Sequence, residues 1–345
     1  MKKLFFFAIA ALGMTAACQK PDTNLVDDSN EPVAIQFGMK ATTVSVTKTK
    51  APVEAWTSAN NSIHVVGYNY HTDKLLWVET GVPAVTGQTA TATATLEFDK
   101  PLYYDSNLAY DFRAYYLGDG KPAAQGAELS LNVPVTITGQ EDVMAGVTNR
   151  AADLDNATKN VTDAQMYSAF AARRNVHPSL TFNHMLTRLN VTVEYPTNRA
   201  EEENLQVALQ NLTVTSNTKG TLSLAGNSPK ITLNEVETGL KVAISETTNT
   251  GVVMIQPDLT EINFTFDLVA EALSQTGQKV TLKAGEIEDG DTDAFQAGKQ
   301  YNVTIKVYDL EEIVVSATVS EWGEGGNVTY DPDDDSWTPD GYPGN

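Results

Sequence analysis

The chain has 345 residues, with 44 acidic and 23 basic side chains and a formal net charge of -21. Such an acidic chain repels phosphate backbones, which excludes nucleic-acid binding as a default function. The single cysteine excludes an internal disulfide framework and a cysteine-built zinc site, and four histidines leave little for metal chemistry. A chain of this length can form roughly two domains of about 150 residues each.

The amino end has the form of an export signal. Lys2 and Lys3 precede an apolar run from Leu4 to Met14, which is too short to span a bilayer as a helix. The run closes on Thr15-Ala16-Ala17-Cys18, which resembles the lipobox of bacterial lipoproteins. We therefore predict a signal peptide over 1–17 and lipid attachment at Cys18, with ordinary secretion and a leftover thiol as the alternative.

Residues 18–32 are polar and acidic and hold too few apolar side chains to pack. They predict a flexible tether between the lipid and the folded body. From Val33 onward, apolar residues recur mostly at every second position, which is the spacing of strands with one buried face. These runs lie at 33–37, 63–70, 91–98, 110–116, 129–137, 180–182, 189–195, 207–214, 222–224, 231–233, 240–244, 252–255, 262–268, 280–282, 301–307 and 313–319.

Turn-forming Gly, Pro, Asn and Asp separate these runs, so the pattern predicts an all-β chain of antiparallel sandwiches. The stretch 147–175 breaks the alternation and contains the best local helix candidate, at 164–171. We interpret it as the junction between β-sandwich domains at 33–160 and 161–330, followed by an acidic tail at 331–345. One long surface loop inside a single domain is the alternative.

No catalytic motif stands out. The chain has no Gly-x-Ser-x-Gly elbow, and Pro122 follows Gly120-Lys121 where a phosphate loop needs Ser or Thr. Acidic triplets at 289–293 and 331–335 have the alternating oxygens of a calcium loop but lack its glycine and its final acid, so solvated turns are favoured and calcium binding stays open. We predict no enzymatic activity, no cofactor and no catalytic or metal-binding residues.

Several aromatic side chains could form a face that stacks on sugars, although core and cross-strand packing accounts for them more simply. They are Tyr68, Tyr70, Trp77, Tyr103, Tyr104, Tyr110, Tyr115 and Tyr116.

Four stretches together resemble the fimbrillin family of Bacteroidota, which are pilus subunits related to the major and minor fimbrial proteins of oral anaerobes. The stretches are the lipobox with Ile35-Gln36-Phe37, Asp142-Val143-Met144-Ala145-Gly146, the run 180–189, and the run 297–305 followed by Val319-Ser320-Glu321-Trp322. The resemblance implies two transthyretin-like antiparallel β-sandwich domains in tandem. It also implies export as an outer-membrane lipoprotein and polymerisation after a trypsin-like protease removes the first strand.

Carried onto this chain, the resemblance makes Val33, Ile35 and Phe37 the candidate displaced strand. The family's protease usually cuts after Arg, but no Arg precedes Arg113 in this chain. The nearest basic positions, Lys48 and Lys50, are therefore the candidate processing sites, and a charged loop or edge strand is the other interpretation of these lysines.

The donor strand would come from the carboxyl end of the chain. Its candidate residues alternate there and are Ile313, Val315, Ala317, Val319 and Trp322. Residues 323–345 carry six acids and no base, which predicts a tail that is flexible unless bound.

The leading hypothesis is a fimbrial structural subunit at the cell surface, anchored by its lipid and assembled with its own kind or with related subunits. One alternative is a fimbrial anchor or tip subunit that is not cleaved. Another is a monomeric surface lipoprotein that binds host or bacterial glycans through its aromatic side chains.

Overall fold

The computed structural model describes residues 32–41, 62–84, 93–105, 107–118, 120–123, 131–155, 160–195, 207–270, 273–287, 293–308, 310 and 313–322. These residues form mainly strands, with two short α-helices and two 3-10 turns. The signal peptide, Cys18, Lys48, Lys50 and the acidic tail lie outside the described residues.

Seven strands of the amino-terminal half form one closed sheet. They are β1 (Phe37–Ala41), β2 (Ile63–Asn69), β3 (Leu75–Ala84), β4 (Thr93–Phe98), β5 (Tyr110–Tyr116), β7 (Met144–Thr148) and β8 (Ser179–His184). Their spatial order is β1, β4, β3, β2, β5, β7 and β8, and β8 pairs with β1 to close the sheet. Strand β6 (Asn132–Thr136) is absent from this order because it joins the other half of the molecule.

A short helical segment connects β7 with β8. It consists of α1 (Arg150–Asp155), a 3-10 turn at 163–165 and α2 (Ala169–Ala172). The helix expected at 164–171 is broken because Tyr167 has a left-handed backbone with φ of 53°. Helix α2 then starts at a regular N-cap, where the Ser168 side chain accepts a hydrogen bond from the Ala171 amide.

The carboxy-terminal half contains two further sheets. Their strands are β9 (Thr187–Glu194), β10 (Ala208–Ser223), β11 (Lys230–Lys241), β12 (Thr250–Ile255), β13 (Glu261–Ala270), β14 (Leu273–Lys283), β15 (Lys299–Val307) and β16 (Ile313–Glu321). One sheet has the order β11, β10, β13, β14, with β6 also paired to β10, and the other has the order β12, β9, β15, β16. A second 3-10 turn lies at 284–286.

Alternation along the strands creates the core between these two sheets. Strand β13 buries Ile262, Phe264 and Phe266, and β15 buries Val303 and Ile305, while their neighbours in sequence point outward. The predicted all-β fold class is confirmed, and most strand pairs are antiparallel. Two pairs, β1 with β8 and β9 with β15, are parallel.

The sheets do not divide the chain at the expected boundary of 160/161. Strand β8 lies beyond that boundary yet completes the amino-terminal sheet, and β6 lies before it yet pairs with Lys219–Ser223 of β10. The alternating pattern identifies such strands but carries no information about which sheet each one joins. The segment 147–175 is therefore a connection within the closed sheet, and the change of sheet follows β8.

Candidate functional site

The candidate site is the seam of the closed sheet that β1 occupies. Strand β1 lies between two neighbours, antiparallel to β4 with Phe37 opposite Leu96, and parallel to β8 with Met39 opposite Leu180. It is therefore an interior strand of the sheet. Removing it would turn both β4 and β8 into edges with unpaired backbone donors and acceptors.

The residues just before β1 extend this pairing. The Ile35 amide donates to the Leu102 carbonyl at 2.8 Å, and the Tyr104 amide donates to the Val33 carbonyl at 3.0 Å. The candidate displaced residues Val33, Ile35 and Phe37 are thus brought together along one extended segment. The chain from Val33 therefore pairs with 102–104 on one side before it enters the sheet between β4 and β8 as β1.

Phe37 packs this segment against the core of the closed sheet. It is 1% exposed, and its ring lies 4.8 Å from the Phe112 ring in an edge-to-face arrangement and 5.9 Å from the Phe98 ring. Ile35 is also buried, in the same cluster. Phe98 and Phe112 were not singled out from sequence because cross-strand contacts depend on strand order.

Tyr104 closes the start of the seam. It is buried, its ring packs edge-on against Tyr110 at 5.5 Å, and its hydroxyl has no hydrogen-bond partner among the described residues. Burial raises the pKa of Tyr104 far above its usual value, so the phenol stays neutral. Tyr104 therefore contributes no charge to the seam beside Val33.

The β8 side of the seam is anchored independently of β1. The Ser179 amide donates to Oδ2 of Asp153 at 3.1 Å, and the Tyr167 hydroxyl donates to the same oxygen at 2.6 Å. Burial raises the pKa of the Asp153 carboxyl, an effect partly opposed by these two hydrogen bonds. Because Ser179 is also the register partner of Gly38, this anchor holds β8 in place at the point where β1 meets it.

A second contact holds the helical segment against the β2–β3 turn. Asp163 accepts from the Tyr70 hydroxyl at 2.6 Å and pairs with Nε of Arg150 at 3.1 Å, and the Arg150 guanidinium lies 4.0 Å above the Tyr70 ring. The hydrogen bond from Tyr70, with a smaller contribution from Arg150, lowers the pKa of Asp163. Tyr70 therefore presents a ring face already covered by Arg150.

Most other aromatic candidates for sugar stacking are placed in the cores. The buried ones are Tyr68, Tyr104, Tyr110, Tyr115 and Tyr116. Trp77 is half-buried and packs 5.9 Å from the Phe112 ring, while Tyr103 is 50% exposed. These side chains thus do not share one exposed face.

The carboxyl end of the described chain forms part of another sheet and contacts the closed sheet at the end of β8. The donor candidates Ile313, Val315, Ala317 and Val319 form β16, which pairs with β15 without a register shift. Trp322 is 1% exposed, and its ring stacks on His184 with 4.1 Å between centroids and 8° between planes. As described, the candidate donor is therefore an edge strand in its own sheet.

The stacked pair links the two halves of the molecule. Nδ1 of His184, the last residue of β8, lies 3.0 and 3.1 Å from the two carboxylate oxygens of Asp142. All three side chains are buried. Sequence analysis did not pair His184 and Trp322 with each other or with Asp142, although Asp142 begins one of the stretches that carry the family resemblance.

The described residues contain no group of three or more His, Cys, Asp or Glu that could hold a metal ion. The helices in this part of the chain are all too short or too polar to cross a membrane. Of the acidic triplet at 289–293, Asp293 alone is described, and the triplet at 331–335 lies outside the described range.

Comparison with known proteins identifies the class of this all-β molecule. The model of the fimbrillin-like family matches residues 28–322, and the chain belongs to that family. No curated protein matches the chain. Family membership supports the role of a fimbrial subunit, a structural rather than enzymatic protein of the cell surface.

One solved structure shows a similar fold, and a second is less similar to this chain. A candidate cell adhesion protein from Bacteroides uniformis is similar with a TM-score of 0.54 and 16% identity, over 84% of this chain and 98% of that one. The tip fimbrial protein Mfa3 from Porphyromonas gingivalis, with a C-terminal truncation, has a TM-score of 0.46 and 11% identity, over 84% of this chain and 100% of that one.

Proposed function

We propose that this chain is a fimbrial subunit exported as a lipoprotein through Cys18 and assembled by strand exchange. In this scheme the segment containing Val33, Ile35 and Phe37 leaves the closed sheet, and a strand from another subunit takes its place. The observation that carries the proposal is that β1 is hydrogen-bonded on both sides, to β4 and to β8.

The free energy of burying the apolar side chains of the displaced segment supports stable binding of a replacement strand. Burying Ile35 and Phe37 contributes about 1.5–3 kcal/mol each, and the aromatic contacts of Phe37 about 0.5–1.5 kcal/mol more. Loss of the segment exposes this apolar surface together with two unpaired strand edges. A donated strand with apolar side chains at the same positions restores both contributions, which favours a subunit contact that rarely dissociates.

The anchoring of β8 supports the same scheme. Asp153 and Tyr167 hold Ser179 through contacts that do not involve β1. The groove left by β1 would therefore keep one wall in place and present a ready template to the incoming strand. Preorganisation of this kind lowers the ordering cost of binding.

Processing would occur between the displaced segment and β2, with Lys48 and Lys50 as the candidate cleavage positions. The absence of any Arg before Arg113 favours, as a second candidate function, an anchor or tip subunit that keeps its lipid and its first strand. Sequencing the amino terminus of the cell-surface form separates the two. A lipidated Cys18 indicates the anchor or tip, and a terminus just after Lys48 or Lys50 indicates a polymerising subunit.

The donor is proposed to come from the carboxyl end, with Ile313, Val315, Ala317, Val319 and Trp322 as the candidates. To be donated, β16 would have to separate from β15 and Trp322 from His184. Deleting residues 323–345 tests whether the tail is needed instead. Normal assembly of that truncated chain would exclude the tail as donor.

Two disulfide locks test the exchange directly, in a chain carrying Cys18→Ser. Gly38→Cys with Thr95→Cys joins register partners of β1 and β4, and Asn302→Cys with Thr318→Cys joins partners of β15 and β16. After trypsin treatment and native sizing, the unlocked chain should form a ladder of multimers. The β1 lock should abolish the ladder under oxidising conditions and restore it on reduction.

The β15–β16 lock then identifies the donor. If β16 is donated, this lock also abolishes the ladder, and if the tail is donated, the ladder persists. Multimers that form with β1 locked to β4 would contradict strand exchange at the seam.

A further inference from the structure

Among the described residues, strand β6 pairs with β10 alone, but it has only five residues and contains Pro134. The four other outer strands of the carboxy-terminal sheets differ in how they are protected against pairing with another chain. Exposed strand edges bind other strands unless charges, irregularities or covering segments prevent it. Strand β12 is covered, because the Ser245 amide donates to the Thr250 carbonyl and the Met254 amide donates to the Gly139 carbonyl. The remaining three edges are β11, β14 and β16.

Strands β11 and β14 carry protective features. Strand β11 holds the charged residues Lys230, Glu235, Glu237 and Lys241, and Val236 within it has a left-handed backbone with φ of 56°. Strand β14 holds Lys279 and Lys283, and its pairing with β13 contains a register shift. Both are poor templates for a regular strand partner.

Strand β16 has none of these features over its first eight residues. The sequence Ile-Val-Val-Ser-Ala-Thr-Val-Ser from 313 to 320 contains no charge, proline or glycine, and its nine-residue pairing with β15 is regular. Among the described residues, no backbone hydrogen bond joins 313–320 to any segment other than β15. This edge is long, regular and neutral in a chain with a net charge of -21.

The core beside this edge is incompletely covered. Ile313, Val315 and Val319 of β16 face the interior but are only half-buried, and so is Val280 of the adjacent β14. Strands β14 and β16 belong to different sheets and approach each other at this edge without hydrogen bonding. At the opposite side of the same sheet, Val253 and Ile255 of β12 are fully buried. An additional strand beside β16 would therefore gain apolar contacts as well as backbone hydrogen bonds.

We propose that the β16 edge is a docking surface for β16 of a second copy of this chain. Antiparallel pairing about a twofold axis at Ala317 places Val315 opposite Val319 of the other copy and Ser316 opposite its Thr318. No like charges face each other in this register, since Glu321 falls opposite Ile313. The sequence of the strand is thus self-complementary, as an isologous dimer requires.

This dimer goes beyond the proposed strand exchange, because it needs neither proteolysis nor departure of β1. It also uses β16 in its place beside β15, so docking and donation of β16 exclude each other within one copy. A nine-residue strand pair is a small interface, and we expect monomer and dimer to coexist at about 10–100 μM. Salt should strengthen the dimer, because it screens the repulsion between two strongly acidic chains.

The test is sedimentation equilibrium of the full uncleaved chain carrying Cys18→Ser, at low and high salt. Val315→Lys places a charge on the half-buried side of the edge and should raise the dimer dissociation constant at least about tenfold. The matched control is Val236→Lys on β11, where the replaced valine is 55% exposed and lies among charges. It should leave the dissociation constant within about twofold. Far-UV circular dichroism and thermal unfolding establish that both variants are folded.

A crosslink provides a second measurement. Ala317→Cys, in the same Cys18→Ser background, places two thiols on the proposed twofold axis and should give a disulfide-linked dimer on mild oxidation. Val236→Cys should crosslink far less. A dimer that persists without forming this disulfide would overturn the proposal, as would a full chain that stays monomeric up to 100 μM at high salt. A chain that dimerises only after residues 323–345 are deleted would show that its own tail occupies the edge, and would overturn the proposal too.

Discussion

The amino-terminal and carboxy-terminal halves differ in whether their sheets have free strand edges. The amino-terminal sheet is closed, so every one of its seven strands has two neighbours, whereas β16 in the other half is paired on one side alone among the described residues. A closed sheet offers no site for an added strand until one of its own is removed. An open edge can accept one without any covalent change. Under the proposed strand exchange, assembly through the first half therefore requires processing, whereas the proposed pairing of β16 does not.

The largest expected effect comes from Phe37, which tests how firmly β1 is held. Phe37→Ala should lower the free energy of unfolding by about 3–5 kcal/mol, because it removes a fully buried ring and its contacts with Phe112 and Phe98. Urea unfolding measures the change. A loss below about 1 kcal/mol would mean that β1 is easily displaced, and the contrast between a locked seam and an open edge would fail.

A smaller loss of stability is expected at Gly139, which lies between β6 of the carboxy-terminal half and β7 of the closed sheet. Its φ of 90° suits glycine, and a Cβ there would lie 2.8 Å from Cγ2 of Val253. Gly139→Ala should therefore destabilise the chain by about 1–3 kcal/mol and loosen the hydrogen bond from the Met254 amide. Hydrogen exchange of Met254 should accelerate more than exchange within β2, and an equal change in both would contradict a local effect.

The pH dependence of stability should also differ between the two halves. Burial lowers the pKa of His64 below its usual 6.5, with a partial opposing effect from its contact with the Lys121 carbonyl at 3.1 Å. The unfolded chain therefore binds a proton more readily, so stability is lost as the pH falls from 6.5 toward the lower folded-state pKa. Burial also lowers the pKa of His177. The sequence from Thr187 onward contains no histidine, so a loss of stability caused by histidine protonation arises outside the carboxy-terminal sheets.

His64→Gln should thus flatten the fall in unfolding midpoint between pH 7 and pH 5. Thermal unfolding at a series of pH values measures it, with the exposed His71→Gln as the matched control. An unchanged slope in His64→Gln would show that burial of this ring does not contribute to acid sensitivity.

The smallest effect is expected on the exposed face of β16. Val314 is 45% exposed, and Val314→Thr should change the free energy of unfolding by less than about 0.5 kcal/mol. Chemical denaturation provides the measurement. A larger loss would mean that this face is covered, and that the second half is less open than the described residues indicate.

The alternating sequence pattern predicted which residues form strands but not which strands pair with each other. Alternation identified Val133 and Val135 of β6 as one strand and Leu180 and Phe182 of β8 as another, since burial on one face leaves a local signal. It could not reveal that β6 leaves the first half and β8 stays in it, because pairing depends on residues far away in the chain.

The candidate site shows the same limit. The alternation of Val33, Ile35 and Phe37 and the family resemblance together indicated the first strand. Its contacts with Phe98 and Phe112 could not be derived, because they arise where three separate strands meet. The stack of His184 on Trp322 was likewise beyond reach, since 138 positions separate the two residues in the chain.

The pairing of β6 with β10 has a consequence for how the chain folds. Val133 and Val135 are 1% and 4% exposed in the finished molecule, and their strand partners are Gly220 and Leu222, among other residues of β10. Strand β6 precedes those partners by more than 80 positions in the chain, so it has no strand to pair with until β10 has been made. Strand β6 therefore stays unpaired until β10 is present, although the closed sheet itself needs no strand beyond β8. A chaperone that binds exposed apolar strands would act on β6 during that interval.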